Sequence, residues 1–175
     1  EDVRAHAGQF GINWFFSTIF RPALVLQYAY GTGDADRTDN RNPTGNTSGG
    51  DNGFLYFGTF NGGYGLRPVL ANIHIYRAGI GLSPFSWSRY RTLRRIQIIG
   101  KYSYYVKYES AGVINSGEAT LDNRDIGQGV DMALKWQILY DFSIFANYGA
   151  FLPGEAYEPG EDTRHFVTGG ATLVF

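Results

Sequence analysis

The chain has 175 residues, including 24 glycines, and 17% of its residues are aromatic. It contains no cysteine, its formal net charge is -1, and no stretch offers 18 consecutive apolar residues. These features exclude disulfides and a membrane-spanning helix, and they give no indication of nucleic-acid binding. The length fits one domain or a piece of one.

Apolar and polar residues alternate in seven stretches of the chain. A repeat of two residues places every second side chain on the same face, which is typical of a β-strand. In the first stretch, for example, Phe10, Ile12 and Trp14 share one face. The predicted strands are residues 7–16, 22–31, 71–84, 93–109, 124–138, 142–151 and 164–175.

The fourth predicted strand indicates whether the sheet lies in a membrane or in a water-soluble protein. It places Ile98, Tyr102 and Tyr104 on one face, and Lys101 and Lys107 on the other. At about 3.3 Å per residue its 17 residues reach about 56 Å, or about 40 Å at a tilt near 45°, which matches a bilayer with its interfaces. A soluble sandwich usually ends a strand after about five or six residues. The sequence therefore predicts an all-β, transmembrane, antiparallel up-and-down β-barrel whose apolar face meets lipid and whose charged face lines a lumen.

The connections between predicted strands alternate in length. The short ones are residues 17–21, 85–92 and 139–141, and the longer ones are residues 32–70, 110–123 and 152–162. Short periplasmic turns and longer extracellular loops alternate in this way in outer-membrane barrels. The three longer connections are therefore predicted to be extracellular loops.

The longest connection has two parts of different composition. Residues 31–52 are rich in Gly, Asp, Asn, Thr and Ser, which predicts a mobile, solvated loop. Residues 53–70 are more apolar but show no lasting periodicity. This second part is predicted either to fold back toward the lumen as a constriction or to extend a strand above the membrane.

Seven is an odd number of strands, whereas single-chain bacterial barrels have an even number. Either a strand is hidden within residues 53–60, which gives an eight-stranded barrel with a filled interior, or residues 1–175 are one segment of a larger barrel of about 16–18 strands. We favour the larger barrel, with this chain as its C-terminal portion.

Three segments resemble the C-terminal part of the alginate-export family of outer-membrane barrels. They are P-A-L-V-L-Q-Y-A-Y-G-T-G-D at 22–34, I-Y-R-A-G-I-G-L-S-P at 75–84 and S-I-F-A-N-Y-G-A-F-L-P-G-E at 143–155. The resemblance implies a large barrel whose arginine-rich lumen passes anionic polysaccharide out of the cell. The chain departs from that picture in lacking the N-terminal strands and in having fewer inward arginines.

The inward faces of the predicted strands carry more basic than acidic residues, which favours anions inside the lumen. Tyr105 and Gln137 are predicted to meet the hydroxyls of a passing sugar chain. In the alternative interpretation, the cations pair with Glu109, Asp125 and Asp131 across neighbouring strands and stabilise a filled interior. The predicted lumen cations are Arg77, Arg95, Lys101, Lys107, Lys135 and Arg164.

Two other kinds of site are considered. Asp34, Asp36 and Asp39 are calcium candidates in the polar loop, although their spacing lacks the glycine and the terminal glutamate of an EF-hand. No other cofactor is expected. Catalysis is not predicted, because the three histidines are scattered over different strands and no serine lies near His165 as a hydrolase would require.

The predicted function is a passive outer-membrane channel for an anionic, alginate-like polysaccharide or another organic anion. The alternative is a small structural or adhesive barrel that acts through its extracellular loops and conducts nothing. The predicted partners are membrane lipid and lipopolysaccharide, further barrel strands or accessory chains, and the barrel-insertion machinery, which would recognise the terminal Phe175.

Overall fold

The computed structural model of the protein describes residues 2–58 and 60–175. Within those residues the one helical element is a 3₁₀ turn at Leu93–Arg95. No helix among them is long and apolar enough to span a bilayer. The strands are β1 (Ala7–Phe15), β2 (Ala23–Gly31), β3 (Ile73–Leu82), β4 (Ile96–Val106), β5 (Asp125–Gln137), β6 (Phe142–Pro153) and β7 (Arg164–Leu173).

Each strand pairs antiparallel with its neighbours in chain order, so the seven strands form one up-and-down sheet. The predicted fold class is confirmed. The sheet is open in the described part of the chain, since β1 and β7 each pair on one side only. Residues 53–58 and 60 form no strand, and Thr59 lies outside the described residues, so the hidden strand is not found there.

One face of the sheet carries apolar side chains that nothing in the described structure covers, and we call it the bare face. Met132 is 50% exposed and Val167 is 76% exposed, and Leu26 and Ile80 are exposed beside them. A soluble protein rarely leaves so wide an apolar surface open to water. The pattern is instead that of a lipid-facing barrel wall.

Aromatic residues border this aliphatic surface at both ends of the strands. Tyr28, Tyr76 and Tyr104 are cross-strand partners near one end, and Trp14 and Trp87 are exposed near the other. Two aromatic bands flanking an apolar belt are the arrangement found at the two interfaces of a membrane.

β4 is shorter than predicted. It contains 11 residues, which at about 3.3 Å each and a tilt near 45° give about 26 Å, close to the height of the apolar band of an outer-membrane barrel. The alternation in the sequence continues beyond the paired region at both ends. Arg95 therefore belongs to the 3₁₀ turn before the strand and not to an inward strand face.

A bulge at the start of β5 reverses one predicted orientation. Gly127 is opposite Tyr105, but Asp125 is opposite Val106, so Ile126 has no partner and lies buried. Gly127 has φ +127°, a conformation that side chains rarely adopt. The prediction that Asp125 faces the lumen is wrong, because its partner Val106 belongs to the bare face.

The first half of the longest connection is polar but packed, which corrects the prediction of a mobile loop for residues 31–52. Arg37 is buried and pairs with Asp51. The Asn40 amide donates to the carbonyl oxygen of Val113 at 2.6 Å, which joins this loop to the one after β4. Residues 31–52 contain few apolar side chains that could form a core, so hydrogen bonds between polar groups hold this part of the chain together.

The second half folds back over the sheet on the face opposite the bare face, as the first of the two predicted alternatives proposed. We call residues 60–70 the inner segment and the face beneath it the covered face. Leu66 and Leu70 are buried in one cluster with Tyr105 and Phe151. This cluster is the apolar core of the described structure.

The lengths of the connections do not alternate strictly. The connection between β3 and β4, residues 83–95, has 13 residues, whereas residues 154–163 between β6 and β7 number only 10. The prediction of strict alternation is therefore wrong. The two groups of connections remain at opposite ends of the sheet because successive strands run in opposite directions.

Candidate functional site

Arg77 holds the inner segment against the sheet. Its side chain projects from β3 on the covered face and is almost wholly buried. Nη1 donates to the carbonyl oxygen of Asn61 at 2.8 Å and to Gln27 Oε1 at 3.1 Å, and Nε donates to Ser103 Oγ at 2.9 Å. Its guanidinium therefore joins three strands to the inner segment instead of facing open space.

Two further side chains bind the neighbouring backbone of the inner segment. The Tyr105 hydroxyl donates to the carbonyl oxygen of Gly62 at 2.8 Å, and Asp131 Oδ1 accepts from the backbone N–H of Tyr64 at 2.9 Å. We call Arg77, Tyr105 and Asp131 the clasp. Tyr105 is only 1% exposed, so its hydroxyl cannot contact a passing sugar. The prediction that Tyr105 meets the hydroxyls of a sugar chain is therefore wrong.

Glycines allow the close approach that the clasp requires. Gly63 has φ +140°, and a Cβ atom there would lie 2.2 Å from the Tyr105 hydroxyl. A Cβ atom at Gly65 would lie 2.8 Å from the backbone nitrogen of Phe151. Any side chain at these positions would push the inner segment away from the sheet.

Lys107 is also on the covered side but is fully buried, which corrects the prediction that it meets a solute. Its ammonium group donates to the carbonyl oxygens of Ser110 at 2.9 Å and Leu121 at 2.7 Å. Burial lowers the pKa of Lys107 to about 8, and Asp122 opposes that shift. The Lys107 side chain thus joins two separate parts of the loop between β4 and β5.

We expect Lys107→Met to destabilise this loop by about 2–3 kcal/mol, because two part-buried carbonyl groups lose their charged donor. The measurement is the rate of protease cleavage within residues 110–121 and the urea midpoint of unfolding. Lys135→Met is the matched control, since Lys135 is exposed on the same face of the sheet. Equal cleavage rates in the two variants would contradict the role given to Lys107.

The remaining predicted lumen residues occupy different surroundings. Lys101 is half-buried beside the inner segment, opposite Asp131 on β5. Lys135 is exposed, and the Gln137 amide donates to the carbonyl oxygen of Tyr140 at 3.0 Å in the turn after β5. Of these three residues Lys135 alone is exposed on the covered face, and it has no ion pair in the described structure.

Arg164 binds the loops at one end of the sheet. Its Nη1 is 2.5 Å from Glu118 Oε2, and its guanidinium lies 5.2 Å from the ring centroid of Tyr157. Burial acts to raise the pKa of Glu118, but hydrogen bonds from Arg164, Asn115 and Tyr157 hold it below its ordinary value. Arg164 therefore belongs to a half-buried network of hydrogen bonds that joins two loops at this end of the sheet.

The three calcium candidates do not converge. Asp34 Oδ2 accepts from the backbone N–H of Asn52, and Asp36 Oδ2 accepts from Ser48 Oγ at 2.7 Å. Asp39 Oδ1 accepts from a backbone N–H two residues further along. Across residues 2–58 and 60–175 no group of three or more His, Cys, Asp or Glu side chains is arranged to hold a metal ion.

Two of the three histidines, His74 and His165, lie on the bare face, away from the clasp. Tyr28 Oη and His74 Nδ1 are 2.9 Å apart, and Tyr148 Oη and His165 Nδ1 are also 2.9 Å apart. Each histidine thus extends the tyrosine band at one end of the strands. Neither histidine has a serine among its hydrogen-bond partners in the described structure, so a Ser–His pair gains no support.

A cleft of about 510 Å³ opens between the inner segment and the covered face of β7. Arg41 and Arg67, both exposed, line it together with Tyr64 and Phe166. Sequence reasoning missed both arginines because they lie in connections without periodicity. The glycine-rich run around Tyr64 was the one available signal, since it indicates a close approach of backbones.

Comparison with known proteins identifies a family for this chain. A family model described as alginate export matches residues 1–169. No curated protein matches the chain. The matched range includes all of β1 to β6, the inner segment and the first half of β7.

Proposed function

Because the chain belongs to the alginate export family, an outer-membrane family of polysaccharide-export channels, we propose that it forms one wall of a channel through which an anionic polysaccharide diffuses passively. The bare face meets lipid and lipopolysaccharide, and the covered face lines the lumen. In this arrangement the inner segment is a constriction that narrows the pore from within.

The distribution of free charge is the observation that carries this proposal. Arg41, Arg67 and Lys135 are exposed on the covered side, and none has an ion pair among the residues that the structure describes. Free cations lining a wet lumen favour anions, and weak repeated contacts allow a polyanion to move from one to the next. We therefore propose that the basic lumen is formed by the constriction and its surroundings together with Lys135 on β5.

The open edges of the sheet support a barrel with more strands. Unpaired backbone groups on β1 and β7 cannot face hydrocarbon, so each edge requires a partner strand. An eight-stranded barrel would have an interior just wide enough for its own side chains, whereas about 16–18 strands leave an aqueous path around a constriction. We therefore propose a larger barrel, with the connections 32–72, 107–124 and 154–163 on the extracellular side.

Ion selectivity in planar bilayers tests the proposal. The channel, purified from outer membranes, should show a reversal potential of anion-preferring sign in a KCl gradient. Arg41→Gln combined with Arg67→Gln should lower that preference by removing two of the free cations. Arg94→Gln is the control, because Arg94 is exposed in the connection at the opposite end of the strands.

The main alternative is a structural or adhesive barrel that conducts nothing. It draws support from the apolar cluster beneath the inner segment, which fills part of the covered face. A complete absence of single-channel events would favour this alternative. A channel that prefers cations would instead contradict the proposed basic lumen.

A further inference from the structure

The connections at the proposed periplasmic end of the sheet are strongly basic. They are residues 16–22, 83–95 and 138–141. Asp141 is the one acidic residue in their sequence, whereas acidic residues outnumber basic ones in the connections at the other end. A surface with charge of one sign attracts partners of the opposite sign. The basic residues of these connections are Arg21, Arg89, Arg91, Arg94 and Arg95.

The first two of these connections contact each other through a strained turn. The backbone N–H of Phe20 donates to Ser86 Oγ at 3.0 Å, and the backbone N–H of Ser83 donates to the carbonyl oxygen of Phe20 at 2.7 Å. The rings of Phe20 and Trp87 meet edge to face, with centroids 4.9 Å apart. Phe20 and Arg21 have φ of +73° and +45°, which non-glycine residues rarely adopt. Backbone strain of this kind is concentrated at functional sites.

A groove of about 740 Å³ lies between these two connections. Its apolar lining includes Phe16, Ile19 and Trp87, and all three side chains are exposed. Arg21 lines the same groove and has no ion pair in the part of the chain that the structure describes. The groove thus offers an apolar surface beside a free positive charge.

The groove continues the bare face. Phe16 stacks on Trp14 of the bare face, with ring centroids 6.0 Å apart and an interplanar angle of 8°. Trp136, also on the bare face, donates from Nε1 to the carbonyl oxygen of Thr92 at 3.0 Å. Residues 83–95 therefore lie toward the lipid-facing side of the sheet and not toward the lumen.

Aromatic and basic residues are mixed in the segment 87–91, W-S-R-Y-R. The Arg89 guanidinium carbon lies 4.8 Å from the ring centroid of Tyr90, and Nη2 donates to the Tyr90 hydroxyl at 2.7 Å. Arg91 is exposed and has no ion pair in residues 2–58 and 60–175. Tryptophan, tyrosine and arginine are the residue types that anchor membrane proteins at the level of the lipid headgroups.

We propose that the groove and segment 87–91 form a binding site for an anionic phospholipid of the periplasmic leaflet. The inference rests on the proposed function, from which it takes the lipid-facing side and the periplasmic end of the sheet. An acyl chain packs along the apolar lining of the groove, and the lipid phosphate binds the Arg21 guanidinium. Arg91 adds a second positive charge, which favours a lipid of net negative charge over a zwitterionic one.

The apolar lining favours a lipid over a soluble polyanion. Binding at a membrane surface grows with the buried apolar area and with the attraction between basic residues and anionic lipids. A soluble polyanion would use the arginines but would leave Phe16, Ile19 and Trp87 in water. A phospholipid covers both the apolar and the charged part of the groove.

Native mass spectrometry of the purified channel tests the site without requiring conduction. The channel in detergent is titrated with phosphatidylglycerol or with phosphatidylcholine, and the wild type should bind phosphatidylglycerol at lower lipid concentrations. Arg21→Gln combined with Arg91→Gln should weaken phosphatidylglycerol binding at least fivefold, since one basic residue near an anionic membrane surface contributes about that factor. Binding of phosphatidylcholine should change less.

Arg4→Gln combined with Arg124→Gln is the matched control. Both arginines are exposed at the opposite end of the strands, so this variant loses the same charge outside the site. It should bind phosphatidylglycerol as the wild type does. A loss as large as that in the Arg21 and Arg91 double variant would reveal a general effect of charge and overturn the site.

Two other results would also overturn the site. One is equal affinity of the wild-type channel for the two phospholipids, or equal phosphatidylglycerol binding by the wild type and the Arg21 and Arg91 double variant, each folded by thermal unfolding. The other is binding of soluble polyglutamate through Arg21 and Arg91 without a preference for phosphatidylglycerol, which would identify a soluble polyanion as the occupant.

Failure of the proposed function has a different signature. A channel that conducts anions but binds both phospholipids equally overturns the lipid site and leaves the channel assignment intact. A protein that prefers phosphatidylglycerol through Arg21 and Arg91 but never conducts retains the lipid site and loses the channel assignment.

Discussion

Replacing Arg77 by methionine is expected to release the inner segment from the sheet and raise the single-channel conductance. Methionine has similar length but cannot donate to Asn61, Gln27 or Ser103, so one buried and two part-buried hydrogen bonds lose their charged donor. Hydrogen bonds from charged groups contribute about 1.5–3 kcal/mol each, and some acceptors will find water, so we expect a loss of about 3 kcal/mol in stability. Single-channel recording and urea unfolding in lipid vesicles measure the two effects.

Lys135→Met is the control for this variant as well, because it removes a positive charge from the same face without touching the inner segment. Because Lys135 is one of the free lumen cations, this variant shows the effect of losing a charge alone, and the conductance of Arg77→Met should exceed that of Lys135→Met. A conductance of Arg77→Met equal to that of the control would mean that the inner segment keeps its position without the clasp, and the assigned role of Arg77 would be wrong.

The second large effect concerns the bare face. Met132 is half exposed and lies between aliphatic residues on β5, so Met132→Lys would place a charge in the hydrocarbon region. Lysine on the lipid face near the bilayer midplane costs about 2–4 kcal/mol in outer-membrane barrels. An exposed position of a water-soluble protein would tolerate the same change within about 0.5 kcal/mol. Unfolding in urea with lipid vesicles present measures the difference.

Thr168→Lys is the matched control for Met132→Lys. Thr168 lies on the covered face of β7, where the added lysine meets the aqueous lumen. It should leave stability nearly unchanged. If both lysines have the same small effect, the bare face does not contact lipid and the membrane orientation is wrong.

The strands could be predicted from the sequence because the alternation of apolar and polar residues is a local pattern. Residues 22–31 were predicted for β2, and the structure has Ala23–Gly31. The ends of the strands were harder to predict. In β4, for example, the alternation continues through Arg95 and Lys107, although neither residue has a cross-strand partner. Pairing, which depends on the neighbouring strands, decides where a strand stops.

The candidate site could be predicted from the sequence only in part. Period-two alternation correctly placed Arg77 and Tyr105 on the face opposite the lipid-facing one, but alternation says nothing about what covers that face. The covering segment has no periodicity, and it is held by contacts between its backbone and side chains far away in sequence. Arg41 and Arg67 lie in such segments, which is why the exposed cations were sought on the strands instead.

The clasp also bears on the order in which the molecule assembles. Its three side chains come from β3, β4 and β5, and the backbone that they hold precedes all three strands. Contacts between residues so far apart in sequence form late, because the intervening chain must first be ordered. We therefore expect a nascent barrel in which β5 has not yet docked to lack the contact between Asp131 and Tyr64, and so to hold its inner segment less firmly than the finished channel does.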